Sequence, residues 1–182
     1  VGLVCFCYWK VLGKCSFYRS DTPSGQLYKA FLVRQDKEAE AIDITDTANE
    51  NGTLSFSVPE GNYRLLVLVR RRLFDSTHAA HSYSEPRRYI DLFNPEATKA
   101  FIDCTYEKYA EHISDLFGEA MPAFFTDEPS LIGWNIPPAS YPLLSWSDCF
   151  PAEFEKRYGY GIEKALVAVI TGNCLRSCCC GV

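Results

Sequence analysis

Apolar and polar positions recur along this chain with two different periods. Between residues 28 and 72 the runs AFLVR (30–34), AIDIT (41–45), TLSFSV (53–58) and YRLLVLV (63–69) are short and rich in β-branched and apolar residues, which predicts strands. In TLSFSV the period is two, so Leu54, Phe56 and Val58 share one face while Ser55 and Ser57 take the other. Asn51-Gly52 is a turn signal, and Pro59-Glu60-Gly61-Asn62 predicts a hairpin between TLSFSV and YRLLVLV. Residues 28–72 read as a small antiparallel β module with one covered face.

Farther along, the period lengthens. Ala97, Phe101, Tyr109, Ile113, Leu116 and Phe117 recur at helical spacing over residues 95–117, with Asn94 suited to the N-cap, Pro95 to the first helical position and Gly118 to the stop. A short strand over residues 89–92 precedes this helix. PAFFT (122–126) follows it and is too short for a helix, so it predicts a buried parallel strand. Strand, helix and strand make a βαβ unit, and the expected class is α/β: part of a (β/α)8 (TIM) barrel, with the antiparallel module ahead of it. Ser147-Asp148 is placed to cap a further helix through Phe150, Phe154 and Tyr158, ended by Gly159. The organisation expected is therefore an irregular segment over 1–27, the β module over 28–72, a partial barrel segment over 73–161 and an atypical cysteine-rich tail over 162–182.

Composition narrows the partners. The 182 residues carry a net charge of −5 and are 47% hydrophobic, an ordinary globular balance. An acidic chain whose one basic run is Arg70-Arg71-Arg72 is no general nucleic-acid binder, because neutralising phosphates needs clustered cations. No run approaches the roughly 20 apolar residues of a membrane span. The opening residues lack the basic start and cleavage site of a signal peptide, which leaves the compartment open. Nine cysteines gather mostly at the two ends, without the paired spacing of a zinc site or a disulfide framework. His78 and His81, in HxxH spacing with no acidic neighbour, read as loop histidines. No metal and no cofactor is expected, and the oligomeric state is not encoded in any pattern.

FFTDEPSL (124–131) carries the candidate chemistry. Asp127 and Glu128 stand at the carboxyl end of the predicted strand, where barrel and doubly wound folds place their sites, although a solvated turn accounts for them equally well from position alone. A resemblance extends this. Ile44-Thr45-Asp46, Pro59-Glu60-Gly61-Asn62-Tyr63-Arg64, Ile90-Asp91, Asn94-Pro95-Glu96-Ala97, Phe117-Gly118, FFTDEP (124–129) and Arg157-Tyr158-Gly159-Tyr160 come in an order that resembles the bacterial α-L-rhamnosidase-like glycoside hydrolases. The match covers roughly residues 40–161. Thr22-Pro23-Ser24-Gly25 is similar to a loop after an earlier barrel strand in that group, but the acidic pair expected before it is reduced to Asp21.

That resemblance implies a barrel interrupted by a β module and carboxylates acting on a terminal sugar. Glycoside hydrolysis needs two carboxyl groups on opposite sides of the bond, which adjacent residues cannot supply. Glu128 is then the acid/base, its pKa raised by an apolar wall of Phe124 and Phe125, and Asp127 holds a substrate hydroxyl or orients the acid. Asp91 and Trp134 are the expected substrate contacts. Trp134, Tyr141 and Trp146 have faces suited to stacking on a sugar, and suited as well to anchoring a loop. A closed barrel takes about 250 residues. The expectation is thus a glycoside-hydrolase fragment, incomplete on its own, with a non-catalytic carbohydrate-binding module or a structural fragment as the alternative.

Overall fold

The computed structural model describes residues 2–11, 13–17, 25–36, 41–72, 81–82, 85–86, 89–126 and 143–171. In chain order they form β1 (Gly2–Val11), β2 (Lys14–Phe17), β3 (Gln26–Arg34), β4 (Ala41–Asp43), β5 (Leu54–Ser57), β6 (Tyr63–Arg72), β7 (His81–Ser82), β8 (Glu85–Pro86), α1 (Pro95–Cys104), α2 (Tyr106–Ile113), β9 (Leu143–Trp146), α3 (Phe150–Tyr158) and α4 (Ile162–Thr171). Five strands make one sheet in the order β4-β3-β6-β1-β9, and every strand pair in it is antiparallel. β2 with β5, and β7 with β8, form two further antiparallel pairs.

β6 shows why its sequence is apolar without alternation. Leu65, Val67 and Val69 point into a core shared with Leu54 and Phe56 of β5, whereas Leu66 and Leu68 point into a second core with Trp146 and with Ile162, Leu166 and Val167 of α4. A strand covered on both faces loses the polar positions of a half-buried one. β3 is divided in the same way, Ala30 and Leu32 on one side and Phe31 and Val33 on the other. Its register against β6 slips between Leu27 and Lys29, so Tyr28 is the extra residue of a bulge, and its ring packs with Trp146 at 4.9 Å on the helix side.

The alternation in β5 is as expected, with Leu54 and Phe56 buried and Ser55 and Ser57 exposed. The hairpin is not. β5 pairs with β2, from Lys14 with Ser57 to Phe17 with Leu54, and β6 pairs with β1 and β3. Residues 58–62 therefore lead from a small covering sheet to the large one instead of folding one sheet back on itself. The choice of partner lies in the long β1–β6 ladder, ten residues from Gly2 with Arg72 to Val11 with Tyr63.

Residues 95–117 also differ from one continuous helix. Asn94 caps α1 as expected, its Oδ1 accepting from the Glu96 amide at 3.0 Å, with Pro95 in the first turn. Thr105 then leaves helical geometry, with φ −119° and ψ −78°, while its hydroxyl donates to the Phe101 carbonyl. A threonine that bonds back to the preceding turn weakens the ladder there. α2 ends in a 3-10 turn over Ser114–Leu116, and Gly118 has the positive φ of 84° that stops it.

PAFFT is the larger departure. Residues 122–126 form no strand, Phe124 is 43% exposed and Phe125 88% exposed. A buried parallel strand needs neighbours on both edges and both faces, and the described residues offer this segment neither. Within the stretch read as a cysteine-rich tail, residues 162–171 form α4, whose Ile162, Leu166 and Val167 belong to the core. Gly159, in left-handed geometry with φ 75°, ends α3 as expected and lets α4 turn back onto the sheet.

Candidate functional site

Of the residues singled out from the sequence, Asp127, Glu128, Trp134 and Tyr141 lie outside the described residues. Asp91 is described, and it is part of a polar junction. The loop before α1 and the turn before α3 are 56 residues apart in sequence, yet the Ser147 hydroxyl donates to Asp91 Oδ2 at 2.6 Å. The other carboxylate oxygen, Oδ1, accepts from the Phe93 amide at 3.1 Å. Both oxygens of Asp91 are therefore engaged by the protein itself. In this geometry Asp91 joins two segments of the chain.

Cys149 closes the junction from the other side. Its thiol donates to the Phe93 carbonyl at 3.3 Å and lies 3.0 Å from the Ser147 hydroxyl. Ser147 is 1% exposed and the rings of Phe93 and Phe150 meet at 4.6 Å, so the bonds are shielded on one side by apolar surface. Ser147-Asp148 was expected to cap the helix; the N-cap of α3 is Cys149, and the Ser147 hydroxyl accepts from the Cys149 amide at 3.3 Å while its carbonyl accepts from Phe150. The polar residues expected at the helix start are present, one and two residues ahead of the cap and turned to a tertiary task.

Asp148 reaches the sheet. Arg70 donates to Asp148 Oδ1 at 2.7 Å and to Gln26 Oε1 at 3.0 Å, and its guanidinium lies 5.4 Å from the centre of the Tyr28 ring. The Tyr28 hydroxyl donates to Glu163 of α4 at 3.0 Å. Burial pushes the Tyr28 phenol far above its ordinary value, and the Glu163 carboxylate adds to the effect while Arg70 opposes it. Trp146, 2% exposed between Tyr28 and Phe150, is a core residue and offers no open face to a sugar. It lies at the end of β9 rather than in the loop expected from the sequence.

The aromatic wall expected beside Glu128 is only partly assembled. Phe124 receives the edges or faces of Tyr106, Tyr109 and Phe117 at 5.2 to 5.6 Å. Phe125 projects into solvent. This ring cluster draws from α1, α2 and the approach to the acidic motif.

A groove of about 600 Å³ runs between the β3–β4 edge and α4, with Phe31 and Val167 along it and Lys29, Asp43 and Glu163 at its polar positions. Lys29 meets Asp43 at 2.8 Å, and Glu163 is held by Tyr28. The sequence held no local signal for the Tyr28–Glu163 bond, since its partners are 135 residues apart.

Among the described residues no helix is long and apolar enough to cross a membrane, and no group of three or more His, Cys, Asp or Glu side chains is placed to hold a metal ion. Compared with protein-family models, with curated proteins and with solved structures, the chain matches none of them.

Proposed function

We propose that this chain is part of a glycoside hydrolase acting on a terminal sugar, with Glu128 as the acid/base and Asp127 as a substrate-orienting carboxylate. The observation that carries the reading is the ordered run of motifs from Ile44 to Tyr160, with FFTDEP among them. Protonating a leaving glycosidic oxygen takes a carboxylic acid, and the second carboxylate must come from another segment, because neighbouring residues cannot flank a sugar ring. Carbohydrate is the partner, and no cofactor enters the chemistry.

A second reading is a non-catalytic carbohydrate-binding module. The exposed rings of Phe101, Tyr109, Phe124 and Phe125 favour it, since aromatic faces in water suit the apolar face of a pyranose.

The test is turnover of aryl rhamnosides and galactosides by the full polypeptide to which this coding sequence belongs, beside its Glu128→Gln variant. The expected loss is about 10²- to 10⁴-fold, the usual contribution of a positioned general acid. Equal turnover by the two removes Glu128 from the chemistry. Saturable sugar binding without turnover selects the second reading, and neither binding nor turnover ends both.

A further inference from the structure

Among the described residues, the two hydrophobic cores take members from β1 to β6, β9, α3 and α4, and none from residues 89–126. α1 and α2 contain no buried residue; they pack on each other, and α2 on the 3-10 turn that follows it. Their rings gather around Phe124, within the same stretch. Residues 95–126 thus form a lobe with its own small aromatic cluster, outside both cores.

The lobe meets the sheet through the Ser147–Asp148–Cys149 turn. Ser147 and Cys149 hold the loop that leads into α1, through Asp91 and the Phe93 carbonyl, while Asp148 is held by Arg70 of β6. One three-residue turn therefore bonds to the lobe's entry on one side and to the sheet on the other.

We propose that this turn is a clasp, and that opening it releases the lobe as one cooperative unit while the five-stranded sheet stays folded. Local opening follows groups of residues that share contacts, and the lobe shares its contacts with itself. The inference stands apart from the glycoside-hydrolase reading, because it concerns which parts of the chain open together. The Asp91–Ser147 bond is the decisive one: its carboxylate is half-buried and its hydroxyl donor fully buried, whereas the Asp148 side chain on the Arg70 side is 84% exposed.

Hydrogen exchange followed by mass spectrometry on the whole chain tests this. In Ser147→Ala, amides of α1 and α2 are expected to exchange about tenfold faster, the loss of one hydrogen bond to a charged group, with β3 and β6 amides unchanged. Asp91→Asn, which keeps the size of the side chain, is expected to act in the same direction, and Asp148→Asn to change lobe exchange by less than about twofold. Faster exchange in lobe and sheet together overturns the proposal, since the two would then be one unit. Unchanged lobe exchange in both Ser147→Ala and Asp91→Asn overturns it as well.

Discussion

Residues 63–69 and residues 95–117 are both patterned for burial, and they end in opposite situations. Leu65 to Val69 are at most 2% exposed, each facing one of two cores. Phe101 and Tyr109 are each 47% exposed, and Leu116 and Phe117 nearly 40%. The difference lies in partners. β6 sits in the middle of its sheet, with β1 and β3 on its edges and α4 and β5 on its faces, so each apolar residue has somewhere to go. The lobe helices carry a comparable stripe and, among the described residues, meet chiefly each other and the rings of Phe117 and Phe124. An apolar stripe records a demand for burial, and the topology decides whether the chain itself meets it.

Breaking the sheet gives the largest expected effect. Leu66→Ala removes a fully buried side chain from the helix-side core, and a loss of about 2–5 kcal/mol is expected in denaturant unfolding followed by sheet signals. A loss below about 0.5 kcal/mol would place the residue in a core loose enough to collapse around the gap, and the contrast with the lobe would fail. Asn94→Ala probes the lobe instead. Removing the cap of α1 costs about 1 kcal/mol of helix stability. The expected signature is faster exchange in α1 with the denaturation midpoint of the sheet unmoved; an equal shift of that midpoint would merge the two regions.

The smallest effect is a titration at the sheet edge. Burial pushes the Asp43 carboxyl upward, but hydrogen bonds from Lys29 and Thr45 outweigh it and hold the group below its ordinary 3.8. The unfolded chain therefore takes up this proton at a higher pH than the folded one. Stability from the pair is present above the ordinary value and is lost as pH falls through it toward the depressed one. For a pair this exposed the amount is a few tenths of a kcal/mol. Asp43→Asn should flatten the stability profile between about pH 5 and 3 by that much, and a profile of unchanged slope would assign the acid sensitivity elsewhere.

What the sequence disclosed was local. The alternation of β5, the cap made by Asn94 and Pro95, and the stop at Gly159 each depend on residues within one turn or strand of themselves. What it concealed was pairing at a distance. Nothing within residues 53–69 says that β5 will pair with β2 and leave β6 to β1. α4 is legible in its spacing, since Ile162, Leu166 and Val167 recur with helical period, although a cysteine-rich stretch follows within a few residues. For the candidate site, the motif order singles out Asp91, while its partner Ser147 reads as a cap; a short polar side chain serves either task, and only the fold chooses. Glu128, Asp127 and Trp134 rest on the motif order alone.

The place of β1 in the sheet bears on the order of assembly. β9 joins the sheet by pairing with β1, Leu3 against Ser145, so this edge is built from residues at nearly opposite ends of the described chain. A pairing that distant closes slowly, because the loop entropy is lost before the contact repays it. During synthesis α1 and α2 emerge while Ser147 is still unmade, and the N-terminal strands can pair before either is tethered. The lobe's exposed rings are then open to wrong partners in the interval before β9 and the helices after it arrive, the kind of transient apolar exposure that favours aggregation over folding.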